Sequence, residues 1–171
     1  MVEVELAAVR VDLQSNTPVV LLRELGGERR TLPIFIAAPE ATAIAFALQG
    51  VRTPRPMTHD LLRDVLEALG ARLDRVVITE LREKTYYAEL QLSGPGGPRV
   101  VSSRPSDAIA LAARTGSPLF VVEEVIDAEG LIVPDEAEED DESATSNENP
   151  EELVERFRGF LEEVRPEDFQ A

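Results

Sequence analysis

The chain has 171 residues, 43% apolar and 29% charged, with a formal net charge of −16. It has no cysteine and one histidine, His59, which excludes disulfides, thiolate nucleophiles, zinc fingers, iron–sulfur clusters and any multi-histidine metal site within one chain. Residues 1–133 carry 18 acids against 14 bases and residues 134–171 carry 15 against 3, so the acidity belongs to the tail, and the body lacks the broad basic field of a tight nucleic-acid binder.

Residues 2–13 alternate polar and apolar side chains and predict a long strand, with a bulge where the register switches at Ala7-Ala8. A turn at Ser15-Asn16-Thr17-Pro18 leads to a dense apolar strand over 19–25. Gly26-Gly27-Glu28 then makes a hairpin into a third strand over 30–36. Three sequential antiparallel strands are the simplest arrangement.

Pro39 and Glu40 open a nearly all-apolar helix over 41–48, which Gly50 ends. The stiff segment Arg52-Thr53-Pro54-Arg55-Pro56 follows. Thr58 is the expected cap of a second helix, 58–69, with Leu61, Leu62, Val65, Leu66 and Leu69 as its apolar stripe. Residues 72–81 and 85–92 form a hairpin that turns at Glu83-Lys84, the latter being the only lysine. A short strand over 99–102, a helix over 105–115, a strand over 118–122 and a short closing segment over 126–133 complete the body. No internal repeat is evident.

The tail changes character. Residues 134–149 hold eight acids and no base, which reads as a disordered acidic linker. Leu153, Val154, Phe157, Phe160, Leu161 and Val164 lie at helical spacing, so residues 150–171 contain an amphipathic helix that needs a surface to bury its face. The fold class is therefore α+β: a mixed, mainly antiparallel sheet or sheets with about three packed helices over 1–133, then the linker and the helix. The first residues do not resemble a secretory signal, and no run approaches 18 apolar residues. The expected location is cytoplasmic, with no membrane partner.

Three polar clusters carry the candidate chemistry, each at a predicted helix start: Pro39-Glu40-Ala41, Arg55-Pro56-Met57-Thr58-His59-Asp60 and Ser103-Arg104-Pro105-Ser106-Asp107. Helix starts present free N–H groups and attract anions. If the three converge, Glu40, Asp60 and Asp107 can hold a divalent ion such as magnesium or manganese. Arg55 or Arg104 can then stabilise phosphoryl charge, and His59 can move a proton near neutrality. If they do not converge, each acid only stabilises its own helix, by about 0.3–1 kcal/mol. Tyr86-Tyr87 put one ring on each side of a strand, for packing or for stacking on a base. No organic cofactor is expected: there is no G-x-x-x-x-G-K-S/T, and Arg99 stands where a dinucleotide loop needs its third glycine.

In these clusters the sequence resembles the bifunctional nuclease domain family. The matching segments are Leu32-Pro33-Ile34-Phe35-Ile36, Glu40-Ala41, Arg55-Pro56-Met57-Thr58-His59-Asp60-Leu61, Tyr86-Tyr87-Ala88-Glu89-Leu90 and Ser103-Arg104-Pro105-Ser106-Asp107-Ala108-Ile109-Ala110-Leu111-Ala112. Gly116-Ser117-Pro118-Leu119-Phe120-Val121 and Pro134-Asp135-Glu136 follow in order, so the resemblance spans about residues 1–136. It implies a compact α+β domain, homodimers, and nuclease activity on DNA and RNA. It points to Glu40, His59, Asp60, Arg104 and Asp107, with Glu89 behind them. Near-neutral charge argues against tight binding of a polyanion, and a local contact through Arg52, Arg55, Arg104 and Arg114 reconciles the two. The alternatives are a non-catalytic dimeric regulator whose C-terminal helix recruits a protein partner, and a hydrolase of a small phosphorylated molecule.

Overall fold

The computed structural model describes residues 1–132. Residues 133–171, to which the sequence assigns the acidic linker and the C-terminal helix, lie outside the described residues. The strands are β1 (Val2–Asp12), β2 (Thr17–Glu24), β3 (Thr31–Phe35), β4 (Arg72–Arg82), β5 (Thr85–Ser93), β6 (Arg99–Ser103) and β7 (Leu119–Val121). The helices are α1 (Ala38–Leu48), α2 (Thr58–Ala68), α3 (Pro105–Thr115) and α4 (Glu123–Glu129). The fold is α+β, as the pattern predicts. Among the described residues, no helix is long and apolar enough to cross a membrane.

All seven strands belong to one sheet of order β3-β2-β1-β7-β4-β5-β6. It consists of two antiparallel meanders, β1-β2-β3 and β4-β5-β6, joined by β7. Three residues make that joint: Leu119–Val121 pairs antiparallel with Val2–Val4 and parallel with Val76–Ile78. The β1 register shifts between Leu6 and Ala8, where the alternation switches. Each meander is followed by a helix of the same construction. The string Ala43-Ile44-Ala45-Phe46-Ala47 in α1 is answered by Ala108-Ile109-Ala110-Leu111-Ala112 in α3. This is a repetition of architecture with little repetition of sequence.

The core explains why these strings are small and apolar. α1 and α3 pack against each other and on the sheet, and alanines let their backbones approach. Ile44, Ile109 and Leu111 have no exposed surface, and each contributes about 1.5–3 kcal/mol by burial. They meet alternate residues of the strands, among them Val20, Leu22, Leu32, Val76 and Ile78.

Three details depart from the sequence reading. Residues 123–129 form a helix, α4, where a strand end and a closing segment were expected; Val125 and Ile126 are buried, and that packing decides its conformation. Met57, not Thr58, precedes the first turn of α2, because Asp60 takes the Met57 N–H at 3.0 Å. Of the α2 stripe only Leu66 packs on the core; Leu61 (55%), Val65 (44%) and Leu69 (68%) are exposed.

Candidate active site

Each of the three longer helices carries a carboxylate at its third position: Glu40 in α1, Asp60 in α2 and Asp107 in α3. The fold brings two of them together through Arg104, the residue that caps α3. Its Nη1 donates to Glu40 Oε1 at 3.0 Å, while Nε and Nη2 grip both oxygens of Asp107 at 2.6 and 3.0 Å. Such a two-point guanidinium–carboxylate grip fixes geometry as well as charge. His59 joins from α2, its Nε2 3.1 Å from Asp107 Oδ1.

Burial pushes the Asp107 carboxyl up, but hydrogen bonds from Arg104 and His59 and the Arg104 charge outweigh it and hold the group below its ordinary value. Asp107 is therefore ionised at neutral pH. Asp107 Oδ1 is placed to accept from His59 Nε2–H, and in the tautomer that donates there Nδ1 is an acceptor.

Exposure orders the cluster from outside to inside. Arg104 is 65% exposed, Asp107 32%, Glu40 17% and His59 12%. The cluster thus presents a cation to solvent, backed by a histidine–carboxylate pair. Glu40 Oε2 is buried with no hydrogen-bond partner, an acceptor left open beside that cation.

Asp60 does not join them. It accepts from Arg114 Nε at 2.6 Å and from the Met57 N–H at 3.0 Å. Burial pushes its carboxyl up as well, and the hydrogen bonds from Arg114 and Met57 with the Arg114 and Arg63 charges more than reverse this, leaving it below the ordinary range. Arg55 is exposed and makes no ion pair with the cluster. Glu89 sits on β5 between Ala88 and Leu90, whose buried side chains take the opposite face of the strand.

The expected divalent-ion ligands Glu40, Asp60 and Asp107 are thus divided between two arginines. Among the described residues, no group of three His, Asp or Glu side chains is disposed to hold a metal ion. Among the described residues, Glu40, Asp60 and Asp107 therefore do not form one ligand set for a magnesium or manganese ion.

The hairpin turns at Glu83-Lys84 as expected; what the sequence reading missed is that Lys84 lies beside the cluster. Glu83 and Lys84 turn the β4–β5 hairpin with φ of 51° and 63°, a conformation that disfavours both residue types. This turn sets Lys84 on the wall of a cavity of about 290 Å³, together with Glu40, Arg104, Phe35 and Tyr86. Phe35 is 59% exposed. Tyr86 packs partly against the core, and Tyr87 lies under Arg82, 4.6 Å from its ring centre. A tight turn without glycine or asparagine was the available signal for Lys84.

A family model described as "Bifunctional nuclease domain" matches residues 20–134, a span that includes every residue of the cluster. An uncharacterized protein of Mycobacterium tuberculosis is 46% identical over 171 residues, 100% of this chain and 99% of the relative. Bifunctional nuclease 1 of Oryza sativa subsp. japonica is 30% identical over 126 residues, 71% of this chain and 38% of the relative. Bifunctional nuclease 1 of Arabidopsis thaliana is 27% identical over 119 residues, 68% and 37% respectively. The chain spans under two fifths of the length of these plant proteins. With two thirds of its residues inside the family match and the Arg104 cluster wholly within it, the chain belongs to the bifunctional nuclease domain family.

Proposed function

We propose that the protein hydrolyses phosphodiesters of DNA and RNA, with low sequence specificity, at the Arg104–Asp107–His59 cluster. The observation that carries this reading is the juxtaposition of an exposed guanidinium with a histidine–carboxylate pair, in a domain whose plant relatives are named bifunctional nucleases. Arg104 receives the phosphate and neutralises charge on its non-bridging oxygens as the attacking oxygen adds. His59 Nδ1 takes a proton from the attacking water, and the imidazolium returns it to the leaving oxygen as the P–O bond breaks. Asp107 fixes the histidine tautomer and stabilises the imidazolium. Lys84 adds a second positive charge on the same cavity wall.

No step passes through a metal ion. The body is near neutral, so binding is local and weak. A homodimer and a protein partner for the C-terminal helix, both expected from the sequence, belong to this proposal as well. A second copy would cover the exposed leucine and valine face of α2, and sedimentation of the full chain tests it.

The test is cleavage of single- and double-stranded DNA and RNA by the purified full chain, with magnesium, with manganese and with chelator. Asp107→Asn and Arg104→Ala are prepared alongside. Cleavage that survives chelator and falls at least about 100-fold in either variant supports the proposal. Equal cleavage by variant and parent protein overturns the site, and cleavage that stops with chelator overturns the metal-free route. One observation favours a second reading, a non-catalytic regulator: Asp60 and Asp107 are fully engaged by arginines. Absence of cleavage under every condition selects it.

A further inference from the structure

A cavity of about 470 Å³ lies away from the Arg104 cluster. It opens between the end of α1, the segment 51–56, the start of α2 and the end of α3. Arg52, Arg63 and Arg114 line it against a single carboxylate, Asp60, over a floor that includes Phe46 and Pro56. In a body with more acids than bases, this is a local excess of positive charge.

The three arginines are not equivalent. Arg114 is 5% exposed and held by Asp60 Oδ1 at 2.6 Å and by the Ala110 carbonyl at 2.9 Å. Arg63 is held by Asp64, with Nη2 at 2.7 Å and Nε at 3.0 Å. Arg52 is exposed and has no hydrogen-bond or ion-pair partner among the described residues. It is nevertheless presented by a stiff segment: Pro54 and Pro56 restrict the backbone, and Thr53 Oγ1 donates to the Arg55 carbonyl at 2.6 Å. An unpaired guanidinium on a rigid mount, beside two others already fixed, is arranged for a tetrahedral oxyanion.

The position relative to the Arg104 cluster points to the same strand. His59 and Asp60 are consecutive, yet His59 reaches Asp107 in the first turn of α3 and Asp60 reaches Arg114 in its last. Seven residues of helix separate the two partners, about 10 Å along the α3 axis. A strand of a few nucleotides spans that distance.

We propose that this cavity binds a phosphate group of the nucleic-acid strand a few nucleotides from the scissile bond, with Arg52 as its principal ligand. The inference rests on the nuclease reading and deepens it. The first turn of α2 then serves both places: His59 faces the chemistry, and Asp60 orients the arginine that anchors the distal phosphate.

Two measurements test it on the full chain. The first is KM and kcat for single strands of two to eight nucleotides. The parent protein shows a KM that falls once the strand is long enough to reach the cavity, and Arg52→Ala raises KM roughly ten-fold for long strands alone while leaving kcat in place. Arg52→Lys restores part of the effect. Identical length profiles for parent and Arg52→Ala overturn the inference. The second measurement needs no cleavage: NMR of the arginine Nε–H signals during titration with inorganic phosphate and then with a non-hydrolysable hexanucleotide. Salt-sensitive shifts of Arg52 and Arg114 support the site even if no nuclease activity is found, in which case the proposed function fails and the anion site stands. Absence of shifts with either probe overturns the site, whatever the protein cleaves.

Discussion

Asp60 and Asp107 are the same residue at the same position, the third of a helix, and the protein uses them differently. Asp60 closes the start of α2 through the Met57 N–H and pairs with Arg114, which is 5% exposed. Asp107 pairs with Arg104, which is 65% exposed, and carries His59 on its other side. Neither residue type nor helix position distinguishes the two. What distinguishes them is where the partner arginine is rooted: Arg114 on the last turn of α3, under the start of α2, and Arg104 at the solvent-facing cap of the same helix. On the proposed reading, the acid tied to the buried arginine holds structure, and the acid tied to the exposed one serves the chemistry.

This contrast can be broken by experiment. The largest effect is expected from Asp107→Asn: nuclease activity falls by about 100- to 10,000-fold, as when a proton-transfer group loses its partner, while the thermal midpoint moves little. Asp60→Asn is the reciprocal control, and loss of activity with an unchanged midpoint in that variant would show that the two acids share one role.

Next in size, Arg114→Ala leaves Asp60 without its buried partner and costs about 3 kcal/mol of stability in urea titrations. Arg104→Ala, which removes an exposed cation, costs far less. Equal costs would erase the distinction between the pairs.

A smaller effect is the acid limb of stability. Both carboxyls lie below their ordinary value of 3.8 in the folded protein. Their contribution is thus fully present above that value and is lost as pH falls from it through the lower folded values. Unfolding free energy measured from pH 6 to pH 2 declines over that interval, and Asp60→Asn flattens the decline; an unaltered slope would deny the shift.

The smallest effect belongs to Val65→Ser on the exposed face of α2, under about 0.5 kcal/mol. Ile109→Ala in α3, by comparison, costs about 2–5 kcal/mol.

Much of this fold was legible in the chain because the signals are local. Alternation at 2–12 and 72–82, turn residues at 15–18 and 26–28, and glycine after each longer helix all report on their own neighbourhood. What was not legible depends on distant partners. Residues 123–129 hold only Val125 and Ile126 as buried apolar side chains, and the surface beneath them makes the helix. The α2 stripe has the right period for burial, but a period states which residues share a face and not whether anything covers it. The insertion of β7 between β1 and β4 joins residues more than a hundred positions apart at Val2–Val121.

The candidate site divides the same way. The three polar clusters stand out by composition, and Glu40, His59, Arg104 and Asp107 do meet. The exclusion of Asp60 turns on Arg114, which the sequence marks only as a basic residue near a helix end. The place of Lys84 beside the cluster turns on the direction of a hairpin that the sequence locates without fixing its backbone angles.

The three-residue joint sets the order in which this protein is able to assemble. Each meander consists of neighbouring strands, so its pairings close over short stretches of chain and need little search. β7 comes after both meanders and after α3, and its partners are the first strand made and the fourth. On the ribosome, the N-terminal meander therefore emerges with the Val2–Val4 edge of β1 unpaired, and more than eighty further residues follow Phe35 before Leu119–Val121 arrives to pair with it. Until then that stretch is an open template for the wrong neighbour. Glu3 and Glu5, exposed charges at that end of β1, are placed where a nascent chain needs protection from its own copies.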